Sequence, residues 1–150
     1  MDSYQEKQTI KQRMEKHFEL TNSEFEQQFN TCELHPSYFT HEAHLRLAWI
    51  NISKYGIEQA IKNIQRQLII FVEYAGAKDK YNMTLTIAAT KAVYHFMLKS
   101  GSATFKDFME EFPRLKTNFK DLMACHYGFD IYHAEKAKKE FLEPDLVPFD

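Results

Sequence analysis

Between residues 57 and 75, Ile57, Ala60, Ile61, Ile64, Leu68, Phe71, Val72 and Ala75 recur at three- and four-residue intervals, opposite Glu58, Lys62, Gln65 and Arg66. That period belongs to one face of an α-helix, and Gly76 marks its stop. The same pattern predicts a helix over 40–55, with Thr40 as N-cap and Leu45, Ala48, Trp49 and Ile52 on its apolar side. Gly56 suits the left-handed position past its end. A third long helix is predicted over 83–99, burying Leu85, Ala88, Ala89, Ala92, Val93 and Phe96 before Gly101. The connections are short, so consecutive helices are expected to lie antiparallel.

The flanks are built from shorter elements. Ile10, Met14 and Phe18 recur at four-residue intervals in a polar background, which predicts a modest amphipathic helix within 1–20, detachable from the rest. Ser23, followed by Glu24 and Glu26, is the expected cap of a short helix through Phe25 and Phe29 to about Cys32, broken at His35-Pro36. Thr104 caps a segment with Phe105, Phe108 and Met109 that ends before Pro113. Leu115, Phe119, Leu122 and Met123 mark another ending by Gly128, and 133–141 reads as the last helix. Pro144 and Pro148 hold the final residues extended, with Leu146, Val147 and Phe149 expected to lie along the bundle.

Composition narrows the class. A chain of 150 residues with 44% hydrophobic and 27% charged residues matches one soluble globular domain, able to bury a core without metal or disulfides. Four glycines and four prolines are too few for the turns of an all-β fold. The expected architecture is therefore an all-α, single-domain helical bundle with an extended C-terminal tail. The net charge of −2 is spread over interspersed signs, which argues against nucleic-acid or anionic-membrane partners. The longest strictly apolar run, Leu68 to Val72, is too short to span a bilayer, and 1–20 lacks the apolar core of a signal peptide. A cytoplasmic location is the resulting expectation. Cys32 and Cys125 stand alone, which excludes a paired redox motif and a thiolate zinc site and predicts buried free thiols.

Candidate chemistry concentrates in Phe39 to Trp49. His41 and His44 are three apart at a helix start, so their rings project from nearly one face and could share a metal or a polar substrate. A pair is half a site, and capping or hydrogen bonding is the plainer role. His95 lies mid-helix beside Phe96: it is either a neutral core histidine or faces His41 and His44 and completes a three-histidine site. Thr84, about three helical turns earlier, shares a face with His95. Asn82 and Thr84 can cap the third long helix or bind an anionic group, and Arg46 can serve that anion or anchor a carboxylate such as Asp145. No transition metal is expected, because the histidines lack an assured carboxylate and Glu42 faces away from the His41 and His44 stripe. Nucleophile-elbow, P-loop and dinucleotide fingerprints are absent, so no cofactor is expected.

Taken together, Phe39-x-His41-x-x-His44-Leu45-Arg46-Leu47-Ala48-Trp49, Gly56, Tyr81-x-x-Thr84-x-Thr86, Tyr127 and Ala137-x-x-x-Phe141-x-Glu143-Pro144-Asp145-Leu146-x-Pro148 resemble a family of small bacterial proteins without an established function. The resemblance spans nearly all of 23–148. In that family the second motif reads Tyr-His-x-Thr-x-Thr, and a histidine often occupies the position of His95. Here Asn82 replaces the motif's histidine, exchanging a metal-binding imidazole for an amide. The resemblance implies that His41, His44, Thr84 and the Pro144-Asp145-Leu146 tail belong together, and it implies no substrate.

Two functions follow as expectations. The first is a small ligand-binding or enzyme-like protein that takes a polar or anionic ligand at His41, His44, Arg46, Asn82, Thr84 and His95, where the starts of the 40–55 and 83–99 helices meet. The alternative is a protein-interaction module without chemistry, using the amphipathic N-terminal segment and exposed Ile69 and Ile70, a surface that also permits homo-oligomers.

Overall fold

Helix boundaries fall where side chains satisfy the free amides of a first turn. The structure is a computed structural model and describes residues 14–149. Thr21, one turn before Glu24, accepts the Glu24 amide at 3.2 Å while the Glu24 carboxylate accepts the Thr21 amide at 3.0 Å, and this reciprocal pair opens α1 (Asn22–Asn30). The predicted cap, Ser23, lies inside the helix, because the box at Thr21 satisfies two amides where a single cap satisfies one. Thr40 accepts the Ala43 amide and opens α2 (His41–Tyr55). Gly56, at φ 81°, closes α2 and is the single residue between it and α3 (Ile57–Tyr74). Asn82 accepts the Leu85 amide at 2.9 Å and opens α4 (Met83–Met97), and Thr104 caps α5 (Phe105–Glu111). The helix expected after Pro113 is two helices, α6 (Arg114–Thr117) and α7 (Phe119–His126), because Asn118 leaves helical geometry between them. A short α8 (Glu135–Lys139) follows, and no strand occurs among the described residues. The protein is an all-α helical bundle.

The three long helices pack pairwise on one another. Of these, α2 is central, with an unbroken buried run from Leu45 to Ile52, whereas α3 buries Ala60, Ile64, Leu68 and Phe71 and turns Ile69 and Ile70 to solvent. Helix α8 lies on α4, α6 on α2, and α1 on α2 and α3. No helix among the described residues is long and apolar enough to cross a membrane.

At the two ends the pattern reading needs amendment. Ile10 lies outside the described residues. The described part of the expected N-terminal helix is a tight 3-10 turn, Lys16–Glu19, with His17 fully buried, so this stretch is part of the bundle. The C-terminal tail does lie along the bundle, but through its backbone. The Leu146 amide donates to the His126 carbonyl at 3.0 Å, the Gly128 amide donates to Asp145 at 2.7 Å, and the Phe149 ring stacks on His126. A side chain at Gly128 would approach Asp145 to 3.1 Å, so the glycine admits the tail. Leu146 and Val147, expected to be buried, remain 56% and 54% exposed. The thiols also differ from expectation: Cys125 is exposed on the outer side of α7 and Cys32 is half-buried.

Candidate functional site

Six positions carried the chemistry in the pattern reading, and the fold distributes them over three places. Arg46 belongs to the N-terminal anchor. Its guanidinium donates to the carbonyls of His17 at 2.6 Å and Leu20 at 2.8 Å and makes two bonds to the Asn22 side-chain oxygen. It has no contact with Asp145, whose carboxylate serves the Gly128 amide, because a buried guanidinium is held by nearby carbonyls rather than by a distant tail. Thr84 is fully buried and ties the C-terminal tail to α4, donating to the Glu140 carbonyl at 2.7 Å and accepting the Leu142 amide at 3.0 Å. His95, near the end of α4, packs edge-on to Phe96 and does not line the cavity that His41 and His44 share, so the three histidines do not form one site.

Beside the Arg46 anchor lies a charge network that the pattern reading missed. His17 Nε2 stands 2.7 Å from Glu42 Oε1, and the Lys116 ammonium lies 2.9 Å from both Glu42 and Glu15. Burial pushes the Glu42 pKa up, but hydrogen bonds and positive charge from His17 and Lys116 outweigh it and hold the carboxyl below its ordinary value. Glu15, His17 and Glu42 have the mutual spacing of metal ligands. Lys116 already bridges the two carboxylates, so the protein's own cation fills the role a metal would take. Nothing in the sequence marked His17, which sits in a polar stretch far from Glu42 and Lys116.

The remaining positions, His41, His44 and Asn82, line a cavity of about 500 Å³ where the first halves of α2 and α4 meet, with α3 behind them. Its walls are mostly apolar, including Leu45, Leu68, Phe71, Val72, Leu85 and Ala89. Each polar group in the lining has a traceable state. Asn82 is committed to structure: its oxygen caps α4 and its amide donates to the Ile131 carbonyl at 2.7 Å. Thr86 and Thr90 return their hydroxyls to carbonyls one turn earlier. His41 Nε2 lies 3.0 Å from the Leu115 carbonyl, and its ring packs on Phe119. The His44 ring lies against Phe39 with centroids 3.9 Å apart and makes no side-chain hydrogen bond among the described residues. Burial, with the neighbouring charge of His41, pushes its pKa down to about 4, which keeps the imidazole neutral at neutral pH.

Two tyrosines complete the cavity. The hydroxyls of Tyr81 and Tyr132 are both buried and neither has a hydrogen-bond partner in the structure. Thr86 is a polar neighbour of Tyr81, but its hydroxyl is directed at the Asn82 carbonyl. Burial raises both phenolic pKa values, so both groups are O–H donors at neutral pH. Leaving a buried hydroxyl unmade costs about 1–3 kcal/mol, and native structures seldom hold two in one cavity without a purpose. Tyr81 was legible as part of a motif; Tyr132 was not, because only the packing of 131–133 against α4 brings it there. At the rim stands Lys80, which makes no ion pair among the described residues, and no aspartate or glutamate lines the cavity. A wider trough of about 890 Å³ lies next to Ile69, but apart from Tyr81 its polar groups, such as Lys78, Asp79, Glu135 and Lys139, reach solvent and need no ligand.

No family model matches the sequence, and no curated protein or solved structure matches it.

Proposed function

We propose that this protein binds a small molecule in the cavity between α2, α3 and α4, a ligand with an apolar body and a hydrogen-bonding end. The observation that carries this reading is the pair of buried, unpartnered hydroxyls of Tyr81 and Tyr132 in one mostly apolar cavity. A volume of about 500 Å³ suits a compact organic ligand. Binding is favoured over catalysis because His44 is a weak base with its pKa near 4, and no carboxylate lines the cavity to orient or activate it. The ligand is accordingly less polar than a reading from His41, His44, Arg46, Asn82, Thr84 and His95 implies, since Arg46, Asn82 and Thr84 are committed to backbone groups.

The test is a titration of a mixed library of small organic compounds, followed through backbone amide shifts. Perturbations grouped around Ala48, Leu68, Leu85 and Ala89, abolished by Ala89→Phe, are the expected result. Shifts scattered over the surface, or the same shifts in the filled variant, would overturn it.

A second reading, a protein-interaction module, is favoured by Ile69, Ile70 and Tyr74, which stand 38%, 50% and 75% exposed on α3. Self-association that is abolished by Ile70→Lys, seen in sedimentation, would support it; a monomer at all concentrations would remove its homo-oligomeric form.

A further inference from the structure

The proposed ligand pocket carries a chemical preference, and the following inference rests on that reading. We infer that the ligand is a small organic monocarboxylate, its apolar body between α3 and α4 and its carboxylate received by the hydroxyls of Tyr81 and Tyr132 under the Lys80 ammonium. The donors and acceptors of the lining do not balance. Asn82, Thr86, Thr90 and the His41 Nε2 atom are already placed against protein groups. What remains are two phenolic O–H donors, a neutral His44 and one ammonium, with no carboxylate opposite them. A ligand that completes this set must bring acceptor oxygens rather than donors. A carboxylate has two oxygens with about four lone-pair sites, enough for both hydroxyls and the ammonium together. A cationic ligand would meet Lys80 and two histidines and find no counter-charge. A neutral alcohol would satisfy a single hydroxyl and leave the charge of Lys80 unused. Lys80 is exposed, so the carboxylate belongs at the rim, where its desolvation is partial, and the apolar body belongs among Leu68, Phe71, Val72 and Leu85.

The experiment compares octanoate, octanol and octylamine, which share one apolar body and differ in the head, by calorimetry and amide shifts on the full chain at neutral pH. Octanoate is expected to bind at least tenfold more tightly than octanol, with octylamine weakest. Tyr81→Phe is expected to weaken octanoate roughly tenfold, the usual effect of a lost hydrogen bond to a charged group, while leaving the melting temperature unchanged or raised. Lys80→Met is expected to weaken octanoate and leave octanol where it was, and Ala89→Phe to abolish both. Equal binding of the three probes, or octanoate binding untouched by Tyr81→Phe, would overturn the carboxylate assignment and leave the pocket standing. If none of the three binds, the assignment falls as well, and the library titration separately decides the pocket.

Discussion

At the scale of single residues, three tyrosines with buried or half-buried rings separate structure from function. Tyr127 donates its hydroxyl to the Leu142 carbonyl at 2.8 Å, so Tyr127→Phe should lower stability by about 1 kcal/mol. Tyr81→Phe and Tyr132→Phe remove hydroxyls that no bond offsets, and should leave stability unchanged or raise it by up to about 1 kcal/mol. Urea denaturation of the three variants checks both directions. His44 makes a pH prediction. Its pKa is near 4 when folded and ordinary when unfolded, so in between the unfolded chain binds more protons. Its contribution is complete above the unfolded value and is lost as pH falls toward the folded one, by at most about 3 kcal/mol. Glu42, held below its ordinary value, adds a further loss in more acidic solution. Stability measured against pH should therefore start to fall below neutrality, and His44→Gln should flatten that upper part of the curve while leaving the acidic part. A slope unchanged in His44→Gln would show that His44 is not the group responsible.

At the scale of elements, α4 presents neighbouring alanines to two different surroundings. Ala88 is fully buried and lies outside the cavity lining, whereas Ala89 lines the cavity. Ala88→Phe should cost roughly 1–3 kcal/mol or more through overpacking, while Ala89→Phe should be accommodated within about 1 kcal/mol by empty space. Thermal melts of the two variants test this, and equal losses would mean that the space is not available. The same helix holds the tail through Thr84. Thr84→Val would strand the Glu140 carbonyl and the Leu142 amide, and should cost about 1–3 kcal/mol and raise amide exchange across 141–149.

At the scale of the whole molecule, the bundle is closed at both ends by chain segments pinned to the long helices. Arg46, His17, Glu42, Glu15 and Lys116 pin residues 15–22 to α2 and α6. Arg46→Met would leave three acceptors without a donor and should destabilise the protein by about 3 kcal/mol or more, with amide exchange rising first in 14–22. If exchange rises evenly over the molecule, the segment is not the separate unit this arrangement implies.

The period of apolar residues determined the three long helices, their caps at Thr40 and Asn82, the stop at Gly56 and the all-α class, because these depend on contacts a few residues apart in the chain. His41 and His44 were legible as neighbours for the same reason. What each polar side chain does was decided by tertiary structure. Arg46 and Thr84 looked like ligand contacts but hold the two chain ends, and His95 shares α4 with the cavity without reaching it. His17, Tyr132 and Lys80 gave no signal, since their partners lie on segments remote in sequence. A hydrogen bond or an empty cavity forms between surfaces that only packing brings together, and the spacing of residues along one helix carries no record of what faces it.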